Sequence, residues 1–507
     1  MLASNFKLIH YLQYGQLVHH SNIKYAVCMA LQKPIVSPKS FDTKRLLPWL
    51  VAVAFFMESL DTTILNTAVP AMAAALHIVP LSTKSVLSSY TLSVAVFVPV
   101  SGWMADRFGT RRVFSTAIGL FILGSLLCGL STDIHQLVAF RVLQGLGGAM
   151  MVPVGRLTLV RTFPKNELVR AMSFVAVPAL IGPMLGPVVG GFIVHYFTWR
   201  MIFFVNLPIG MTGFLFVLRY LPDYRAKRSD PLDWIGLVLF SSGVALLSYV
   251  LEVFGEHSLP TTWIVGLLLV SILLLTTYAV HASKKAKPLL QLALFKIRTF
   301  RVAVGGSFIT RLGAGGVPFL LPLMYQSGLG FTPVQSALLI IPQPIAAMSL
   351  KFVLPQILSR FGYRNVLIFN TITMGGSIAL FSTIGITTPI WLIVIQAFVF
   401  GFGSSLQYSS MNTLVYADMK ERQTSMASTM ASTMQQMSLS FGVAAASLSA
   451  AFFIPDRYNS STGELIHGIH LAFIVLGAFT VISALLFYTL KQTDGSAISM
   501  KEAAQPI

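Results

Sequence analysis

The chain has 507 residues, of which 55% are hydrophobic and 10% charged, with a net charge of +18 and a mean hydropathy of +0.75. A soluble domain does not carry that balance, so the composition reads as an integral membrane protein. A nucleic-acid partner, the other reading of so basic a chain, is set aside because the charges are spread over separate loops and not gathered on one soluble face.

Residues 1–45 read as a cytoplasmic tail; residues 1–28 lack an apolar signal-peptide core and a span, and Met29 is the expected initiator. A helix needs about 20 apolar residues to cross a roughly 30 Å hydrocarbon core. Such runs follow in chain order at 47–73, 85–104, 113–131, 134–159, 169–195 and 200–220. Two more, at 234–254 and 262–281, lie in a central segment 221–300, and six follow at 302–325, 334–355, 364–384, 389–414, 433–454 and 469–490. The expectation is about fourteen transmembrane helices: a first six-helix half over 46–220, two extra helices, a second half over 301–490 and a tail over 491–507. The runs are continuous and not alternating, which excludes a β-barrel.

Basic residues set the orientation, because cytoplasmic loops retain Lys and Arg. Of 35 Lys and Arg, three (Lys84, Arg200, Arg457) fall in outer loops and four (Arg141, Arg156, Arg311, Lys351) within spans, leaving 28 on one side. The clusters Arg107/Arg111/Arg112, Arg161/Lys165/Arg170, Arg225/Lys227/Arg228 and Lys284/Lys285/Lys287 sit on alternate loops, so both termini are expected in the cytoplasm. The two cysteines, Cys28 and Cys128, and the scattered histidines show no metal-ligand spacing.

The stretch "SGWMADRFGTRRV" at 101–113 is echoed by "LPQILSRFGYRNV" at 354–366, which keeps Arg-Phe-Gly-x-Arg but replaces Asp106 by Ser359. A duplicated helical bundle enclosing a site between its halves is a transporter plan. Gly102 and Gly109 permit close helix approach and a tight turn, and Asp106 can pair with arginines across the loop. Gly182, Gly186 and Gly190, spaced by four, form a smooth stripe, with Pro183 and Pro187 between them.

The first span holds "ESLDTTILN" at 58–66, in which Glu58, Asp61, Thr62 and Asn66 form a polar stripe. Counted at 1.5 Å per residue, Asp61 lies roughly 21 Å and Glu58 roughly 16 Å from the inner face, and Arg141 about 10 Å from the outer face. Asp61 and Arg141 thus share one depth. A desolvated carboxylate beside a cation can bind and release a proton. The alternative, a structural salt bridge, stays open. Arg311 falls near the midplane, whereas Arg156 and Lys351 are close enough to the inner face to snorkel. Gln144, Asn412, Gln435 and Gln436 offer amides to a cavity or to neighbouring helices.

"GWMADRFGTRR" resembles the signature of the major facilitator superfamily, "RVLQGLGGA" at 141–149 its fourth-span motif and "GPMLGPVVGG" at 182–191 its antiporter motif. With "LDTTILNTAVP" these are similar to the fourteen-span drug:proton antiporters of the EmrB/QacA type, and among them the MdtD-like members, over residues 40 to 494. The resemblance implies an all-α major facilitator fold in a bacterial inner membrane. It implies export of diverse drug-like small molecules in exchange for protons, by a protein functional as a monomer and needing no cofactor beyond the proton gradient. It supports Asp61 and Arg141 as the proton-coupling group; Glu58, where an amide is more usual in that pattern, joins them on its position in the polar stripe alone. Gly102, Asp106, Arg107, Gly109 and Arg111 become a conformational latch, and Gly182, Pro183, Gly186, Pro187 and Gly190 a hinge tied to antiport. Asn66, Gln144, Arg311, Asn412 and Gln435 are the substrate-cavity candidates.

Other classes fit less well. No catalytic constellation or metal site gathers at one depth, and no G-x-x-x-x-G-K-[ST] run suggests a nucleotide-driven pump. A membrane sensor without transport is the remaining rival class. Within transport, a small organic anion is the alternative cargo, since Asp61 answers Arg141 and leaves Arg311 for substrate or Glu58.

Overall fold

The computed structural model describes residues 40–226, 231–256, 260–420, 423–454 and 461–495. Met29, Cys28, Lys227, Arg228, Arg457 and the end of the carboxy-terminal tail lie outside the described residues.

Every regular element among the described residues is helical. The first half comprises α1 (Ser40–Ile64), α2 (Val69–Ala75), α3 (Lys84–Phe108), α4 (Thr110–Leu130), α5 (Ile134–Thr162), α6 (Lys165–Tyr196), the short α7 (Met201–Phe204) and α8 (Asn206–Tyr220). The central pair is α9 (Trp234–Glu256) and α10 (Thr261–Lys284). The second half comprises α11 (Arg298–Ala314), α12 (Val317–Leu323), α13 (Pro333–Ile340), α14 (Pro342–Leu380), α15 (Ile390–Leu414), α16 (Thr424–Phe453), α17 (Thr462–Ile482) and the short α18 (Ala484–Phe487).

The breaks have local causes. Between α1 and α2 the chain tightens into a 3-10 turn over Leu65–Ala68, just ahead of Pro70, which has no N–H to continue the ladder. In the second half α11 stops at Gly315 and α12 restarts with Pro318 near its amino end. Both halves therefore begin with an interrupted helix. The close division within 113–159 falls at Ser131–Asp133, where Asp133 caps α5 by accepting from Gln136 N at 2.9 Å. The repeated motif shows its common geometry at glycine: Gly109 has φ 96° and Gly362 φ 73°, a region L side chains avoid.

Twelve helices among the described residues are long and apolar enough to cross a membrane, against the fourteen expected from sequence. One of them, Pro333–Thr383, has 51 residues, about 76 Å of helix if straight, and contains the non-helical Gly362. α6 runs for 32 residues, and its apolar stretch Ile181–Tyr196 is a shorter apolar helix that stands outside the twelve.

The halves meet along α3 and α16. Ser440 Oγ donates to Ser88 O at 3.2 Å and Ser447 Oγ to Leu81 O at 3.1 Å. At the same end Gln326 Nε2 donates to Thr67 O at 3.0 Å. Lys84, expected in an outer loop, instead starts α3 as a buried residue. The extra pair sits at the periphery: α9 packs on α3 and α16, while only 17% of the apolar window of α10 is buried, so most of its surface is left to lipid. Asp233 ties the pair together. Its carboxylate accepts from Lys285 Nζ at 2.8 Å, Gly236 N at 3.0 Å and Leu289 N at 3.1 Å, and lies 2.9 Å from His281 Nε2.

Candidate functional site

α1 runs beside the wall of a cavity between the halves and carries the acids. Asp61 is 0% exposed and Arg141, from α5, 1% exposed, with Arg141 Nη1 donating to Asp61 Oδ2 at 2.6 Å. The other carboxylate oxygen accepts from Gln144 Nε2 and from Asn206 Nδ2, each at 2.8 Å. The guanidinium is completed by Gln144 Oε1 at 2.8 Å, Val86 O at 3.3 Å from Nε, and the Tyr90 ring 4.4 Å from Cζ. Asn206 is itself held by Ser125 Oγ at 3.1 Å. Both carboxylate oxygens and the guanidinium are thus met by protein groups in place of water. The depth count from sequence thus finds its two residues in contact.

Gln144 is a correction. Expected in the substrate cavity, it is fully buried and serves the ion pair, because three residues along a helix from Arg141 puts it on the same face. Asn206, Ser125 and Tyr90 were not anticipated. The one available signal was the lone amide of Asn206 at the start of an apolar run.

Glu58 faces a different environment one helical turn away. It borders two adjoining spaces, of about 430 Å³ and about 400 Å³, that also share Val152, Arg156, Gln435 and Gln436. No hydrogen-bond or ion-pair partner holds Glu58 among the described residues. Asn66 lines one space and Asn412 the other. Arg156, expected to snorkel to the membrane face, opens instead into this cavity, 5.9 Å from the Phe55 ring. The second-half wall includes Gly315 and Pro318 at the interruption of α11 and α12. Arg311 does not line either space. It is 4% exposed, donates from Nε to Ser307 Oγ at 3.1 Å and stacks on Tyr408 with Cζ 3.6 Å from the ring centre. It makes no ion pair with Glu58 or any other acid among the described residues.

The glycine stripe of α6 packs on the polar helix. A Cβ at Gly182 would lie 2.6 Å from Ser59 Oγ, and one at Gly186 or Gly190 would overlap Thr63, or Ile64 and Thr67. Thr63 Oγ1 also donates to Gly182 O at 3.4 Å. Gly191 continues the stripe onto the second half, against Pro333 O. Pro183 and Pro187 lie inside the helix, which stays continuous from Lys165 to Tyr196.

At the 101–113 motif, Asp106 Oδ1 accepts from Arg161 Nη2 at 2.6 Å, so its partner comes from α5 and not from its own loop. Arg111 Nε donates to Leu221 O and its backbone N to Asp223 Oδ1 at 3.2 Å. Thr110 and Ala226 add backbone bonds between this loop and the linker. Arg107 is exposed and has no partner among the described residues. Gly102 departs from expectation: no atom lies within 4 Å of where its Cβ would be, so it permits no close approach in this conformation. Elsewhere in the second half, whose copy of the motif lacks the acid, Arg298 pairs with Asp494 at 2.6 Å and Thr299 Oγ1 donates to Asp418 at 2.9 Å.

Among the described residues no group of three His, Cys, Asp or Glu could hold a metal ion. Residues 51–445 match the family model for the Major Facilitator Superfamily. The chain is 41% identical over 426 residues to the MdtD protein of Serratia proteamaculans, named for multidrug resistance, covering 84% of this chain and 88% of that one. It is 39% identical over 442 residues to the MdtD protein of Pectobacterium carotovorum subsp. carotovorum, covering 87% and 93%. Among solved structures, a POT family transporter in complex with a thioalcohol-conjugated peptide superposes with a TM-score of 0.66 at 14% identity, covering 91% of this chain and 97% of that one. A D-xylose-proton symporter gives 0.63 at 14% identity, covering 88% and 98%; at such identity the likeness speaks for the fold alone. The matched residues, the interrupted helices and the paired charges all fit one conclusion: the chain belongs to the Major Facilitator Superfamily.

Proposed function

We propose that the protein is a secondary active transporter that exports drug-like small molecules across the bacterial inner membrane in exchange for protons, working as a monomer by alternating access. The observation that carries this reading is the Asp61–Arg141 pair, a saturated buried charge one turn from Glu58, which borders a cavity between the halves. Neutralising Asp61 would release Arg141, Gln144 and Asn206 together, and so link a proton to the packing of α1, α5 and α8. The halves are hydrogen-bonded at the Leu81–Ser88 end, while the cavity extends toward Arg156 and Tyr416. With both termini in the cytoplasm, that cavity faces inward. On this reading the 46–220 and 301–490 halves rock about it, with α6 as the pliable seam.

In everted vesicles, added substrate should release protons from an energised lumen. No release with any member of a drug panel that the protein demonstrably moves by counterflow would end the antiport reading, and no counterflow at all would favour a sensor.

A second reading, export of a small organic anion, rests on Arg311, a buried cation with no acidic partner among the described residues, which lies outside the cavity in this conformation and reaches substrate only if α11 turns it inward during the cycle. Arg311→Ala should then weaken anionic substrates tenfold or more and leave cationic ones within twofold. Equal effects on both would assign Arg311 to packing.

A further inference from the structure

A groove of about 520 Å³ lies on the flank of the first half, apart from the cavity between the halves. Phe97, Trp103 and Phe108 of α3 form one wall, Arg112 and Thr116 of α4 the next, Met150 of α5 the floor and Trp234 of α9 the far side. The extra pair thus supplies a wall that the six helices of the first half do not provide.

Two features give the groove direction. Trp103 stands edge-on to Phe108 and Trp234, with ring centres 5.9 Å and 6.2 Å apart, and such aromatic clusters mark the level of lipid headgroups. Arg112 lines the groove at this same end, one turn beyond the Gly109 reversal. It is exposed and has no acid or hydrogen-bond acceptor for its guanidinium among the described residues. Two acids at the turn before Arg112 are already engaged, Asp106 by Arg161 and Asp223 by Arg225 and the Arg111 backbone N. From Arg112 the apolar wall runs back to Phe97, roughly 16 Å along α3 between Phe97 and Phe108. Its rim carries exposed Phe108 and Trp234, side chains that belong in lipid.

An unpaired cation at headgroup level above a deep apolar slot is complementary to one class of molecule in the bilayer. We propose that this groove retains an anionic phospholipid, its phosphate on Arg112 and an acyl chain laid along Phe97–Phe108 against Trp234. Arg112 selects the headgroup charge and the slot holds the chain. A zwitterionic lipid meets the same slot without the net charge.

Trp103 and Trp234 report on the site. The full-length protein would be reconstituted in phosphatidylcholine vesicles doped with lipid whose acyl chains are brominated, a quencher of tryptophan fluorescence. The groove signal is the difference between wild type and a W103F/W234F variant. Brominated phosphatidylglycerol should quench it at about one-fifth the mole fraction needed by brominated phosphatidylcholine, the factor expected from one basic side chain near an anionic headgroup. R112Q should abolish the preference, while R301Q, at an exposed arginine of the second half, should keep it. In wild type about 1 M salt, with a screening length near 3 Å, should also remove it. Equal potency of the two lipids in low salt, or a preference that survives R112Q, would overturn the proposal.

Discussion

Asp61 and Glu58 lie one turn apart on α1 and have opposite surroundings. Asp61 accepts three hydrogen bonds and is sealed from the cavity, whereas Glu58 borders the cavity with no fixed partner among the described residues. Removing the charge from Asp61 while keeping its shape should therefore stop coupling without unfolding the helix bundle. Asp61→Asn is expected to insert normally and to lose proton-driven export by at least a hundredfold while retaining counterflow; undiminished proton-driven export by this variant would take Asp61 out of the mechanism. The pair was legible in the sequence because charges within apolar runs are few and their depths follow from helical rise. The groups that complete it were not. Tyr90, Ser125 and Asn206 look like ordinary residues of apolar spans, and only packing decides that three separate helices gather them around one ion pair: Tyr90 on the guanidinium, Asn206 on the carboxylate and Ser125 behind Asn206.

At the level of helices, α6 and the α9–α10 junction rest on different physics. The α6 stripe works through absence of side chains, since any Cβ at Gly186 would overlap Thr63. Gly186→Val should reduce the yield of folded protein severalfold, with a loss of about 2–3 kcal/mol from overpacking. Gly102→Val, into open space, should leave thermal stability unchanged. The stripe was legible because its period of four is a helical period; the interruptions at Leu65–Ala68 and Gly315–Gly316 were not, since an apolar run reads the same across a break.

Asp233, at the amino end of α9, is electrostatic. Burial raises its pKa, but bonds from Lys285, His281, Gly236 N and Leu289 N outweigh this and bring it down to about 2 from 3.8. A depressed carboxylate stabilises the fold fully above its unfolded pKa and loses that contribution as pH falls through its folded value. The α9–α10 junction should therefore hold above pH 4 and loosen between about pH 4 and pH 2, with about 2 kcal/mol at stake. Asp233→Ala should show faster hydrogen exchange at Gly236 and Leu289 at neutral pH and no further change on acidification. An acid-dependent change of wild-type size in the variant would locate the effect elsewhere.

For the molecule as a whole, alternating access requires the hydroxyl contacts at the Leu81–Ser88 end to part once per cycle. In a background lacking Cys28 and Cys128, the double variant Ser88→Cys/Ser440→Cys should cross-link on oxidation, stop transport and recover on reduction. Transport that continues through a completed cross-link would contradict rigid-body opening at this end. The two-half plan could be read from the motif at 101–113 and its echo at 354–366, because both need a glycine at positive φ to reverse the chain. Which end was closed could not be read, since the relevant bonds join serine hydroxyls to backbone carbonyls far away in sequence.

That closure also sets an energy scale. Ser440, Ser447 and Gln326 each donate one side-chain bond across it, and a net worth of about 1 kcal/mol per bond makes roughly 3 kcal/mol in all. Moving one elementary charge through a membrane potential of about 100 mV releases about 2.3 kcal/mol. On the proposed proton-coupled reading, a gate latched by neutral hydroxyls and an amide involves hydrogen bonds of the same order as the drive from one proton.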